Sequence, residues 1–268
     1  MKTIISKFRP LLISAFLFVI LLSCTDNRFH MPAEIIDLSP TITEDMPERL
    51  MGSAFFTMLG MEPTVEFKHY TGEPPLYYLD SYITLFNHAG PHVDAPRHMI
   101  PNTAAVDEYD LDRFYGKAVV MDFSAKPVDY YVTLDEIKKY DIKAEDIVIF
   151  YCGYKVNGNP DELPIFTVPS KEAADYLAEL PIKCYATDGM SVDNLRRTTE
   201  LLVEGESELE ILAPVHSAFL TNGIPIIEGL QNLQAIAGYN EVVFAGFPLK
   251  TTGKAGDAAP LRAVAMIY

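Results

Sequence analysis

Apolar positions along the chain fall into short runs separated by polar, helix-capable stretches. Glu34 to Leu38, Tyr82 to Phe86, Lys117 to Phe123, Asp146 to Tyr151 and Ile182 to Ala186 are β-branched, aromatic or continuously apolar. Runs of this length and composition predict strands, and the fully apolar Asp146 to Tyr151 predicts a buried one. Between them lie helix starts. Thr133 with Glu136 three residues later has the spacing of a capping box and predicts a helix to Tyr140. Ser170 is placed to cap a helix over Lys171 to Glu179, and Pro214 opens a helix that Gly223 ends. Leu111 to Tyr115 reads as a turn or a short helix. Strands alternating with helices predict an α/β fold, and no second composition regime appears, so one domain is expected.

Two regions depart from this rhythm. Residues 43–80 carry Pro47, Pro63, Pro74 and Pro75 with many aromatics and no clear period. Long irregular segments of this kind often cover a site. Phe55, Phe56, Tyr70, Tyr77 and Tyr78 are candidates to line a pocket, with core packing or a dimer contact equally open. The other region is the start. Lys2, Lys7 and Arg9 precede twelve apolar residues, Leu11 to Leu22. That run is shorter than the roughly 20 residues a membrane-spanning helix needs, and it suits the middle of a secretory signal. Leu21-Leu22-Ser23-Cys24 resembles a bacterial lipobox. The expectation is a signal peptide over residues 1–23, a tether over 24–33 lipidated at Cys24, and one domain over 34–268. Acyl chains would hold the protein to a membrane on its periplasmic or outer side.

Composition narrows the function. A net charge of −16 over 268 residues, with the basic residues scattered, argues against a nucleic-acid partner and leaves a small molecule as the expected one. Besides Cys24 there are two cysteines, Cys152 and Cys184, each in or beside an expected strand; two buried thiols or a pair are both compatible with that placement.

The chemistry concentrates in Asn87-His88-Ala89-Gly90-Pro91-His92-Val93-Asp94-Ala95-Pro96-Arg97-His98. Imidazole and carboxylate are natural ligands of zinc or manganese. Pro91 and Pro96 argue against a helix, and in an extended chain His88, His92, Asp94 and His98 share a face. A straight strand would hold His88 and His92 about 13 Å apart, too far for two ligands that each approach an ion to about 2 Å. The chain must therefore curve, and Gly90-Pro91 is where it can. A hydrogen-bonded loop is the other reading. Further on, His216 falls in the first turn of the expected helix, and Glu228 is an isolated acid behind the apolar Ile224 to Ile227. A buried carboxylate needs a partner, and a metal ion is one.

The pattern His-x-Gly-x-His-x-Asp-Ala-Pro-x-His resembles the signature of the metal-dependent cyclase-like hydrolases, which include bacterial kynurenine formamidase and isatin hydrolase. Asp37-Leu38-Ser39 with Met46-Pro47, Thr187 to Asp193, His216 to Glu228 with Gly229 to Leu233, Pro248 to Lys250 and Pro260 to Ala263 resemble the family's other motifs, in order. The resemblance implies a single mixed-sheet domain of the swivelling β/β/α type and a homo-oligomer. It implies two divalent ions, Zn2+ or Mn2+, held by His88, His92, Asp94, His216 and Glu228, with both carboxylates bridging. His98 would shuttle the proton. Ions so placed lower the pKa of water from 15.7 towards about 7 and so supply a hydroxide that attacks an amide, formamide or cyclic amide carbonyl. A metal-binding lipoprotein without activity, or a cyclase or lyase using the same ions, is the alternative. Two positions depart from the family. Pro91 stands where threonine is usual, and the tryptophan that formamidases turn to their substrate has no counterpart, since the chain has none.

Overall fold

A computed structural model describes residues 30–46, 53–155 and 162–268. The expected signal peptide and lipidation site at Cys24, and Pro47 of the opening motif, lie outside the described residues. Thirteen strands run through the rest: β1 (Glu34–Asp37), β2 (Val65–Thr71), β3 (Leu79–Leu85), β4 (His92–Asp94), β5 (Tyr115–Asp122), β6 (Tyr131–Val132), β7 (Ile147–Tyr151), β8 (Val168–Pro169), β9 (Cys184–Thr187), β10 (Ile226–Glu228), β11 (Glu241–Ala245), β12 (Ala258–Pro260) and β13 (Val264–Ile267). Nine of them form one sheet in the order β1-β13-β11-β5-β7-β9-β10-β4-β12. Its centre, β5-β7-β9-β10, is parallel, and antiparallel strands extend it on both sides. The fold is mixed α/β, as the pattern of runs predicts.

The parallel centre is apolar on both faces, as sheets covered on both sides must be. Val119, Met121, Val148, Phe150 and Tyr185 face one layer, while Ala118, Val120, Ile147, Ile149 and Cys184 face the other. Four helices are described from residue 134 to 212: α2 (Leu134–Ile137), α3 (Lys171–Glu179), α4 (Leu195–Glu204) and α5 (Leu209–Leu212), following α1 (Ser53–Met58) and preceding α6 (Pro214–Thr221). Helices α3 and α6 pack on the first face through Ala173, Leu177, Val215 and Phe219. Ser170 caps α3 as expected, its Oγ accepting from the Ala173 amide at 3.3 Å. The box at Thr133 also forms, with Glu136 accepting from the Thr133 amide at 3.0 Å, but α2 stops at Ile137, short of Tyr140. Ile137 is fully buried, and the chain turns there once its apolar anchor is seated.

Residues 53–85 are more regular than their prolines suggest. They form α1 and the antiparallel hairpin β2–β3, a sheet of its own. A two-stranded ribbon leaves much of its surface in solvent, which explains why no buried period marks it. Tyr70, Tyr77 and Tyr78 stay on this hairpin, exposed, Tyr77 by 72%. They do not line the cavity described below; Phe55 and Phe56 on α1 do. Cys152 and Cys184 are both buried free thiols, and burial pushes their pKa values up, that of Cys184 to about 12.

Candidate metal centre

The site is built on β4 and β10, which pair antiparallel with Glu228 opposite His92 and Ile226 opposite Asp94. Period-two alternation sends Val93 and Ile227 into the layer behind, so His92, Asp94 and Glu228 emerge on the helical side. His88 is not on the strand. Gly90, at φ +68°, turns the chain so that His88 folds back over it, and His98 ends a 3-10 turn, Pro96–His98. The single extended register read from the sequence therefore holds only for His92 and Asp94. His216 enters from the first turn of α6. The structure thus brings His88, His92, Asp94, His98, His216 and Glu228 to one place.

The spacing of their atoms is specific. Asp94 Oδ1 lies 3.1 Å from His88 Nδ1 and 3.4 Å from His92 Nε2, while its Oδ2 lies 3.7 Å from His216 Nε2. Glu228 repeats the division: Oε2 is 3.6 Å from His92 Nε2, and Oε1 is 3.4 Å from His216 Nε2. Donors bound at 2.0–2.2 Å to one tetrahedral ion stand about 3.3–3.6 Å apart, so these distances match. The side chains are buried, yet no hydrogen bond of good geometry reaches His92 Nε2 or either Asp94 oxygen, the 3.1 Å approach of His88 Nδ1 included. Buried polar atoms left unpaired are costly and rare in native proteins. A divalent cation would satisfy all three, and the donor set fits one.

The outward-facing atoms are held as a metal site requires. His92 Nδ1 donates to Gly90 O at 2.9 Å. His216 Nδ1 donates to Asp193 Oδ2 at 2.7 Å, and the same carboxylate accepts from the Val215 and His216 amides, capping α6. Glu228 Oε1 accepts from the Val192 amide at 2.8 Å. Asp193 and Asp257 were not assigned roles from the sequence. The first stands inside the quoted middle motif. The second is an isolated acid in the small-residue stretch from Gly253 to Ala259, and that isolation was its only signal.

Electrostatics without a cation are divided. Burial drives the His92 pKa down to about 4, against the pull of Asp94. Burial also opposes charge on His88, but Asp94 and Asp257 outweigh it and push His88 up to about 9. Asp94 is held well below the usual carboxylate range, despite burial, by His98, His92 and His88. Burial and the Asp94 charge push Glu228 up to about 8. A cavity of about 1050 Å³ opens over the cluster, with Phe55, Phe56, Phe86, Met190 and Tyr154 in its walls. Phe56 and Phe86 meet edge to face at 5.6 Å, and Phe86 reaches the His88 ring at 5.4 Å.

The family described as "Putative cyclase" matches residues 36–194. A kynurenine formamidase of Salinibacter ruber is 34% identical over 68% of this chain and 77% of its own. The chain belongs to the cyclase family. A second kynurenine formamidase, from Geobacillus thermodenitrificans, is 28% identical over the same shares of the two chains. Among solved structures, an isatin hydrolase bound to the product analogue thioisatinate superposes with a TM-score of 0.69 at 20% identity, over 95% of this chain and 97% of that one. That likeness is one of fold. The family match covers His88 to His98 and Asp193; His216, Glu228 and Asp257 lie beyond it and join the site through the fold.

Proposed function

We propose that this cyclase-family chain hydrolyses a C–N bond of a small amide, formamide or cyclic amide, using two divalent ions. The observation that carries the reading is the division of Asp94 and Glu228. Each turns one oxygen toward His92 and the other toward His216, as two carboxylates bridging a pair of ions would. His88, His92, Asp94 and Glu228 would hold one ion, and His216 with the same carboxylates the other. The formamidase relatives support the bond class. Bound at that position, divalent ions supply hydroxide at neutral pH and polarise a carbonyl. Imidazole plus carboxylate accommodates zinc or manganese alike.

The chain's own groups do the rest. The Phe56–Phe86 pair at the mouth offers a planar substrate the aromatic contact that a tryptophan gives in other formamidases. The apolar walls keep water from the reacting carbonyl. His98 is the most exposed of the site histidines, its side chain 25% accessible, and one of its nitrogens lies within 4.8 Å of Asp94 and His216 donors. It can therefore reach both the cage and the substrate, and would carry a proton to the leaving nitrogen, a task for which imidazole is suited.

The test is a panel of N-formylkynurenine, aryl formamides, lactams, isatin and esters, with protein loaded with zinc or with manganese. Turnover of an amide-type substrate is expected. His98→Ala should lower kcat at least about 100-fold with metal content unchanged. Metal bound without turnover of any substrate would replace the hydrolase reading by metal binding alone. Joint loss of metal and activity in His98→Ala would make His98 a ligand.

A further inference from the structure

Asp257 reaches the site from the far end of the chain and belongs to none of the motifs above. It closes the 3-10 turn Gly253–Asp257, immediately before β12. That turn is pinned to the histidine-bearing segment. The Asp257 carbonyl accepts from the Ala95 amide at 2.9 Å, and Arg97 Nη1 donates to Gly253 O at 2.8 Å. The side chain is pinned as well, since Oδ1 accepts from Asn87 Nδ2 at 2.7 Å. Oδ2 is left to face two imidazoles, His88 Nε2 at 3.1 Å and His98 Nδ1 at 3.9 Å. Those two rings lie 4.5 Å apart, centroid to centroid.

The nitrogens involved are informative. His92 and His216 turn Nε2 into the cage and tie Nδ1 outside it, whereas His88 does the reverse, with Nδ1 against Asp94. A neutral imidazole offering Nδ1 carries its proton on Nε2, and the acceptor on that N–H sets both tautomer and ring angle. Asp257 Oδ2 is that acceptor. A ligand role fits less well: for Asp257 and Asp94 to share one ion through His88, that ring would have to offer both of its nitrogens. On the His98 side, an Nδ1 turned to Asp257 frees Nε2 to exchange a proton with substrate.

We propose that Asp257 is a positioning residue, fixing His88 with Nδ1 toward the cage and His98 with Nε2 toward the substrate. For His98 this rests on the hydrolase reading; for His88 it rests on geometry and the fit of a cation. Asp257→Asn places an amide N–H against His88 Nε2, provided Oδ1 keeps its bond to Asn87, and so opposes the required tautomer. Asp257→Glu keeps the carboxylate.

The experiment compares wild type, Asp257→Asn and Asp257→Glu at saturating zinc, by metal stoichiometry, kinetics, and nitrogen–proton correlation spectra of 15N-histidine-labelled protein. Asp257→Asn is expected to retain the wild-type zinc stoichiometry and lose about 10–100-fold in kcat, with KM moved less than about threefold. The His88 and His98 tautomer signals should change, and Asp257→Glu should restore part of both effects. Zinc lost from Asp257→Asn at saturation would make Asp257 a ligand and overturn the proposal. Wild-type kcat with unmoved imidazole signals would overturn it as well. If wild type turns over no substrate, the hydrolase reading has failed on its own, and the His88 signals in zinc still decide: unchanged in Asp257→Asn, they end the proposal.

Discussion

Asp193 shows how one side chain serves two levels of the structure. Its carboxylate holds His216 Nδ1 and accepts the first free amides of α6, so it fixes the ring and the helix that carries it. Asp193→Ala should weaken metal binding about 10–100-fold and cost about 1–2 kcal/mol of stability through the lost cap. A chelator competition titration and a denaturant melt would measure the two. Of the residues the fold brings together, His88, His92, Asp94 and His98 stand out in the sequence because histidine and carboxylate in a tight cluster have few other uses, whereas His216 and Glu228 stand out only through the family resemblance. The roles of their supports are not legible. Asp193 and Asp257 meet their partners across 23 and 169 residues respectively, and neither the motif around Asp193 nor the isolation of Asp257 says which side chain it meets. The tyrosines at 70, 77 and 78 are exposed, which removes the pocket and core readings of them: aromatic content signals burial within a chain only when a second layer exists to bury it.

Among the elements, β4 and β10 matter most, and they are short. Three residues each suffice because β9 and β12 flank the pair, so its register is fixed from both sides. The turn after β10 is equally constrained. Gly229, at φ +73°, passes so near the bend before β4 that a Cβ there would stand 2.8 Å from Gly90 O, the acceptor for His92. Gly229→Ala should therefore cost about 1–3 kcal/mol and loosen metal binding by disturbing His92; a melt with a parallel metal titration checks both. The helices were legible from their caps, Ser170 and Pro214 most clearly. Of the strands, β1, β3, β5, β7 and β9 are read from the sequence to within three residues and the shorter or more exposed ones are not, and the pairing of β4 with β10, whose partners lie 132 to 136 positions apart, is set by tertiary packing that no local pattern records.

For the molecule as a whole, metal binding and folding are tied through pH. His88, raised to about 9, Glu228, raised to about 8, and His216, held well above its ordinary value against burial by Asp193, Asp94 and Glu228, all favour the protonated form at neutrality, and a metal would have to displace those protons. Raised folded-state values stabilise the metal-free fold fully below the ordinary pKa, near 6.5 and 4.5, and that contribution is lost as pH climbs through about 9 and 8. The depressed Asp94 acts only at acid pH, below this window. Raising pH from 6 to 8.5 should thus weaken the metal-free protein, strengthen metal binding, and widen the gap in Tm between metal-loaded and chelator-treated samples. Calorimetry in buffers of differing ionisation heat should find protons released as the cage fills at pH 7, and fewer of them as pH climbs through about 8 and 9. The wide separation of β4 from β10 along the chain has one more consequence. In a chain still leaving the ribosome the two halves of the cage cannot meet before residue 228 has emerged, so a cation would be captured late in maturation and would lock a finished cage rather than seed folding.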